Sequence, residues 1–169
     1  FQDLEEDLAL FDDLSAFENQ PIRTVVIKNW PNEDFLYHVF LRLNTGSVSL
    51  SPQELRQALH PGPFVTFLDQ ASSKSVALRE ILKLKKPDFR MRDAELLLRY
   101  YALRNYLKDY TGNLKSFLDN TCGKLNKSWE KEEQNLLSQL DEFETAHQFL
   151  KGIFGNALYR KWNGEKYET

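Results

Sequence analysis

Apolar residues recur at helical spacing on both sides of a short loop within residues 34–59. The face before the loop consists of Phe35, Leu36, Val39, Phe40 and Leu43. After the loop, Ser51 suits a helix N-cap, Pro52 suits the first helical position, and Glu54 can complete a capping box. The pattern therefore predicts two short amphipathic helices that meet at a tight turn.

Polar side chains gather around this turn and the start of the second helix, namely Arg42, Asn44, Gln53, Glu54 and Arg56. A helix N-terminus presents free backbone N–H groups and favours anions. A purely structural interpretation is also open, because Glu54 could serve only as a cap and Asn44 could serve only to satisfy loop amides. The arginines could equally form surface ion pairs.

A β-branched run at residues 22–28 predicts one strand. Val25, Val26 and Ile27 are apolar in succession, which is typical of a strand covered on both faces. Because a lone strand has no hydrogen-bonding partner, we expect its partners to come from preceding sequence or from another chain.

The rest of the pattern is helical. Residues 1–17 predict one or two short helices. Two more follow, one around Phe64 and Leu68 that Ser72 and Ser73 should end, and one over residues 76–82. Residues 91–110 are apolar over more than half the helical circumference and should be central. A last helical region, residues 114–154, should have breaks near Gly123 and Asn126. The predicted fold class is mainly α (α+β), a helical bundle with one or two strands.

Composition narrows the functional classes. The 169 residues fit one domain with one core, and no apolar run approaches the roughly 20 residues that cross a bilayer. The single cysteine, Cys122, excludes an internal disulfide and is expected in the core, which fits a reducing cytoplasm. The three histidines lack the spacing of metal ligands, and no P-loop or nucleophile elbow is present. A self-contained hydrolase is therefore not expected.

Positive charge is concentrated in one block even though the net charge of the chain is −3. Between residues 74 and 92 the cations are Lys74, Arg79, Lys83, Lys85, Lys86, Arg90 and Arg92. Such a block can contact phosphates, and Lys83, Lys85 and Lys86 are its candidate DNA-binding residues. The alternative is a solvated loop and helix face.

Three segments resemble one known family. Residues 42–59, RLNTGSVSLSPQELRQAL, resemble the motif RLN-x-G-G-x-x-L-x-x-QE-[IL]-R-x-A of GmrSD-type restriction endonuclease N-terminal domains, the ParB-like DGQQR proteins. Residues 86–103, KPDFRMRDAELLLRYYAL, are similar to the family's RM-x-D-x-E segment, and residues 154–162, FGNALYRKW, to its FG-x-x-A-[FY]-R element. The DGQQR signature and the HNH nuclease module of many members do not occur in these residues. The resemblance thus implies the C-terminal part of such a domain.

The resemblance also implies a function. It assigns nucleotide binding to Arg42, Asn44, Gln53, Glu54 and Arg56, with a nucleoside triphosphate and Mg²⁺ as cofactors. The ParB-like form of the motif, EN-x-x-R-x-x-L-x-P-x-E, is matched at Asn44, Leu50, Pro52 and Glu54, and Asn44 and Glu54 are the site residues that carry over. Leu43 and Ser47 stand where the family has Glu and Arg. The whole protein would then be an NTPase or restriction endonuclease subunit of a prokaryotic defence system. Its ParB-like domain would sense DNA in a nucleotide-dependent way, and a separate nuclease module would cleave.

The expected organisation is a single domain or a fragment of one, with a strand and motif region at residues 1–60 and a helical region at residues 61–169. This chain alone should be inactive, cytoplasmic and free of membrane, with DNA and the missing N-terminal part or another chain as partners. The alternative function, from a different class, is a non-enzymatic helical module for protein–protein assembly.

Overall fold

The computed structural model describes residues 11–24, 26–29, 35, 39, 42 and 50–166. Contacts divide the chain into two compact units, Phe1–Pro31 and Asn32–Thr169. The first unit contains helix α1 (Phe11–Glu18). The helices of the second are α2 (Pro52–Leu59), α3 (Pro63–Lys74), α4 (Val76–Leu82), α5 (Arg92–Tyr106) and α6 (Leu114–Phe154). Phe35, Val39 and Arg42 are also helical. The mainly α prediction is confirmed, whereas the ParB-like core stays a prediction.

The strand predicted at residues 22–28 is wrong for the residues that can be described there. Residues 22–24 and 26–28 form no strand, and Ile22 and Val26 are 84% and 72% exposed. The described part of the chain contains no strand with which they could pair. A high β-propensity alone cannot hold an extended segment, because the propensity reflects packing against neighbouring strands.

The core of the second unit lies where α3, α5 and α6 pack together. Its fully buried side chains include Phe64, Leu68, Leu97, Leu98, Tyr101, Leu118, Leu125 and Leu136. On α5 these residues follow a spacing of three and four, so the prediction of a central helix is confirmed. The Tyr101 hydroxyl donates to the Leu136 carbonyl at 2.9 Å, which satisfies its polar end inside the core. Cys122 is also fully buried, as expected.

Two predicted helix breaks are absent. The Ser72 and Ser73 hydroxyls donate to the carbonyls of Asp69 and Gln70 within α3, so they do not compete for the helical N–H groups and α3 continues to Lys74. Helix α6 likewise runs without interruption for 41 residues. The side chain of Asn126 points away from its own backbone, because it donates to the His60 carbonyl and accepts from the Val65 N–H.

None of the helices in the described ranges combines the length and the apolar composition that crossing a bilayer needs.

Candidate functional site

The start of α2 has the capping box that the sequence predicts. The Glu54 N–H donates to the Ser51 hydroxyl at 3.1 Å, and the Ser51 N–H donates to the Glu54 carboxylate at 2.5 Å. The Ser51 hydroxyl also donates to the Arg90 carbonyl, and the Arg90 guanidinium lies 3.4 Å from the Glu54 carboxylate. The box therefore joins α2 to the segment that precedes α5.

The other two described candidates on α2 are buried. Arg56 is 3% exposed and Gln53 is 1% exposed. The Arg56 Nε donates to the Asp119 carboxylate of α6 at 2.7 Å, and its Nη1 donates to Gln53 Oε1 at 2.6 Å. Such a charge-assisted pair holds α2 against α6. Gln53 Nε2 is buried and forms no hydrogen bond with any of the described residues. Such a donor is stabilised when a ligand or water accepts from it.

The described residues place three of the five predicted nucleotide-binding residues on α2, where their side chains have different partners. Arg42 is helical and exposed, while Asn44 lies outside the described residues. Glu54 lies against Arg90, Arg56 lies against Asp119 of α6, and Gln53 accepts a hydrogen bond from Arg56. The described cavity beside them has a volume of about 140 Å³ and is lined mainly by apolar side chains. Nucleotide binding by this set stays a prediction, and the contacts observed within it are structural.

The described ranges contain no group of three or more His, Cys, Asp or Glu side chains arranged to hold a metal ion. The Glu54 carboxylate, an oxygen donor of the kind that Mg²⁺ prefers, is already engaged by the Ser51 N–H and by Arg90. Binding a cation through Glu54 would therefore require the cap to open.

The cations of the basic block divide into two kinds. The guanidinium groups of Arg79, Arg90 and Arg92 are engaged within the fold, by carbonyls of residues 73 and 74, by Glu54 and by Asp88 respectively. Lys83, Lys85 and Lys86 are exposed on the connection between α4 and α5, and they form no ion pair with any residue in the described ranges. Lys74, at the end of α3, is likewise exposed and forms no ion pair within the described ranges. The three lysines chosen from the sequence are thus among the cations available to a ligand.

A further pocket, at the C-terminal end of α6, was not predicted from the sequence. Its base is formed by Glu80, His147 and Tyr159, and its volume is about 680 Å³. His147 is 3% exposed, with Nε2 at 2.8 Å from the Glu80 carboxylate and Nδ1 at 3.1 Å from the Tyr159 hydroxyl. The hydrogen bonds from Lys151 and then from His147 hold the pKa of Glu80 below its usual value. The spacing of four between His147 and Lys151 was the available sequence signal, but Glu80 lies 67 residues away from His147.

No protein-family model, curated protein or solved structure matches the chain. The resemblance to GmrSD-type domains, drawn from three motifs, therefore stays a prediction.

Proposed function

We propose that the chain is a helical module that engages duplex DNA for a prokaryotic defence or restriction protein of the GmrSD type. Any cleavage would come from a separate nuclease module. The observation that carries the proposal is the row of exposed lysines at residues 83, 85 and 86, which form no ion pair within the described part of the chain.

The lysines support DNA binding because their charges are not neutralised within the fold. An ammonium group that already forms an ion pair would have to break that pair before contacting a phosphate. When a phosphate approaches Lys83, Lys85 or Lys86, it displaces only water and counterions. This release of counterions is the source of salt-dependent affinity for nucleic acid. Such contacts position a protein on DNA without reading its sequence.

The net charge of −3 does not oppose this proposal. Association with DNA depends on the local field, and the Debye length at physiological salt is about 8 Å. Carboxylates on distant helices are therefore screened from the loop. The nearest acid in sequence, Asp88, accepts hydrogen bonds from the Arg90 N–H and the Arg92 side chain, so its charge is offset locally.

Nucleotide dependence enters the proposal through the resemblance of residues 42–59. The buried Gln53 Nε2, a donor that has no acceptor among the residues that the structure describes, supports it. An anion held at the start of α2 would give that donor a partner, and a helix N-terminus favours anions.

The proposal is tested by fluorescence anisotropy of a labelled duplex titrated with the chain. Changing Lys83, Lys85 and Lys86 together to Gln should weaken binding at least tenfold, since three phosphate contacts are lost. The matched control changes Lys108, Lys127 and Lys131, which are exposed elsewhere, to Gln and alters the net charge equally. If both triple variants bind like the parent, or lose affinity equally, the loop is not the DNA-binding surface.

A second candidate, a protein–protein assembly module, is favoured by the apolar surface near the end of α6. Phe149 and Ile153 lie four residues apart on this helix and are 69% and 60% exposed. A shallow hollow of about 460 Å³ that includes Ala146 and Phe149 adjoins them. Exposed apolar side chains grouped on one helix face are typical of helix-mediated association.

Sedimentation velocity at increasing concentration tests the second candidate. Under the assembly interpretation the parent self-associates, and the double variant Phe149→Glu with Ile153→Glu sediments as a monomer. Phe89→Glu, a change at an aromatic residue that is 82% exposed on a different segment, is the control. A parent that remains monomeric at all concentrations would remove self-assembly from consideration.

A further inference from the structure

The pocket at the C-terminal end of α6 has the size of a small-molecule site. Its volume of about 680 Å³ lies within the range of roughly 300–1,000 Å³ that is usual for such sites. The end of α4, the last turns of α6 and residues 155–161 form its walls. The described cavity beside α2 is about 140 Å³, below that range.

The base of this pocket is a connected hydrogen-bonded array. Glu80 contacts Lys151 at 2.7 and 2.8 Å and His147 at 2.8 Å, so the carboxylate is hydrogen-bonded on both sides. A Glu80 carboxylate that accepts from Nε2 leaves Nδ1 of neutral His147 to accept from the Tyr159 hydroxyl. The array ties α4, α6 and the segment after α6 together and fixes the orientation of the tyrosine.

Tyr159 is held in a backbone conformation that a bulky residue rarely adopts. Its φ is +61°, in the left-handed region, where such a residue carries a cost of about 1–3 kcal/mol. The ring lies nearly parallel to the His147 ring, with an angle of 8° between them, and the side chain is still 57% exposed. The strained conformation therefore holds an aromatic ring at the pocket with much of its surface accessible.

The walls of the pocket carry more positive than negative charge. Among the described residues that line it, Glu80 is the one carboxylate, and the cations are Lys83, Lys151, Arg160 and Lys161. Glu80 forms an ion pair with Lys151. The side chains of Lys83, Arg160 and Lys161 have no ion-pair partner in the described ranges. Like charges grouped around a concavity repel one another and focus a positive potential, which an anionic ligand relieves.

We infer that this pocket binds a phosphate ester joined to a nucleobase. Arg160, with its planar set of donors, and the ammonium groups of Lys83 and Lys161 would hold the phosphate. The exposed surface of Tyr159 would stack against the base. A free mononucleotide and the phosphorylated end of a single strand share this chemistry, and both are compatible with the pocket. The inference extends the proposed function, because Lys83 belongs to both the pocket and the exposed lysine row.

Isothermal titration of the full 169-residue chain with AMP, adenosine and inorganic phosphate tests the site. AMP should bind more tightly than either fragment, because only AMP reaches both the cations and Tyr159. Combined Arg160→Gln and Lys161→Gln should weaken AMP binding roughly tenfold or more. Tyr159→Ala should also weaken it roughly tenfold, while Tyr159→Phe retains the ring and most of the affinity. Thermal melts verify that each variant is folded.

Two further measurements distinguish a free mononucleotide from a phosphorylated strand end as the ligand, and distinguish the pocket from the duplex-binding proposal. A short single strand with a 5′ phosphate is compared with AMP and with the same strand lacking the phosphate. A strand end is the ligand if the phosphorylated strand binds much more tightly than AMP and the strand without the phosphate does not. Combined Lys85→Gln and Lys86→Gln, at positions outside the pocket, should leave AMP binding unchanged and weaken duplex binding. If the Lys85 and Lys86 variant binds duplex like the parent while Arg160 and Lys161 remain necessary for AMP binding, the proposed DNA-binding role of the lysine row is wrong. The inference about the pocket is then retained. Failure of the parent to bind AMP, or equal binding by the Arg160 and Lys161 variant, overturns the inference.

Discussion

At the scale of single residues, neighbouring polar positions on α2 have different roles. Glu54 completes a cap and lies against Arg90, while Arg56 is buried against Asp119 of α6 and also donates to Gln53. Spacing in the sequence could identify the cap, since Ser51 and Glu54 are three residues apart. It could not identify Asp119, which is 63 residues from Arg56.

Arg56→Met is expected to lower the free energy of unfolding by about 2 kcal/mol, because it leaves the Asp119 carboxylate half-buried without its partner. Asp119→Asn should cost less, since an amide oxygen still accepts from Arg56. The measurement is the urea midpoint of each variant, with Lys127→Met as an exposed control that should change little. An Arg56→Met midpoint equal to that of the parent would show that the pair does not hold α2 in place.

Glu80 gives the fold a dependence on pH with a defined sign. The hydrogen bond from Lys151, followed by that from His147, lowers the pKa of Glu80 from its ordinary value of 4.5. A carboxyl group with a lowered folded-state pKa stabilises the fold above its unfolded pKa, and this contribution is lost as the pH falls through the folded pKa.

The stability advantage of the parent over Glu80→Gln should therefore be largest above pH 4.5 and should shrink as the pH falls below it. Thermal melts over a pH series provide the measurement, with the exposed change Glu133→Gln as the charge-matched control. A difference between parent and Glu80→Gln that does not vary with pH would mean that the ionised form of Glu80 makes no contribution.

At the scale of elements, α3 begins where the side chain of Asn126 from α6 supports the turn before it. Asn126 Nδ2 donates to the His60 carbonyl at 3.0 Å, and its Oδ1 accepts from the Val65 N–H at 3.3 Å. A Cβ atom at Gly62 would lie 2.4 Å from the Asn126 amide. The glycine thus permits the close approach of α6 to this turn.

Gly62→Ala is expected to destabilise the chain by about 1–3 kcal/mol, because the added methyl group displaces an amide that two hydrogen bonds hold. Gly123→Ala is the matched control, since a Cβ there meets no atom within 4 Å. In the helical interior of α6 it should stabilise by about 0.5–1 kcal/mol. Chemical denaturation of both variants tests this account, which fails if Gly62→Ala is neutral.

The helices themselves were largely predictable, because their apolar residues recur with helical period. The prediction was less successful where a local signal competed with tertiary contacts. Ser72 and Ser73 resembled a break but bond within α3, and Asn126 resembled a break but bonds to the turn before α3. The β-branched run at residues 22–28 failed as a strand for a related reason, since a strand is specified by its partners and the sequence contained no sign of them.

At the scale of the whole molecule, cations that form no ion pair within the described ranges lie at the end of α4 and around the pocket, in a chain whose net charge is −3. The exposed lysine row and the cations of the pocket meet at Lys83, which lies at the end of α4. The row could be predicted, because it is contiguous in sequence. The pocket could not, because Glu80, His147 and Tyr159 come from three segments that only the packing of α4 against α6 brings together.

The salt dependence of duplex binding is the measurement that shows whether Lys83, Lys85 and Lys86 contact DNA phosphates. The logarithm of the binding constant falls linearly with the logarithm of salt concentration, with a slope of about −0.9 per phosphate contact. Changing the three lysines to Gln should therefore reduce the magnitude of this slope by roughly 2 to 3. The triple variant of Lys108, Lys127 and Lys131 should keep the slope of the parent. An unchanged slope in the Lys83, Lys85 and Lys86 variant would contradict the account and leave these lysines as a solvated loop.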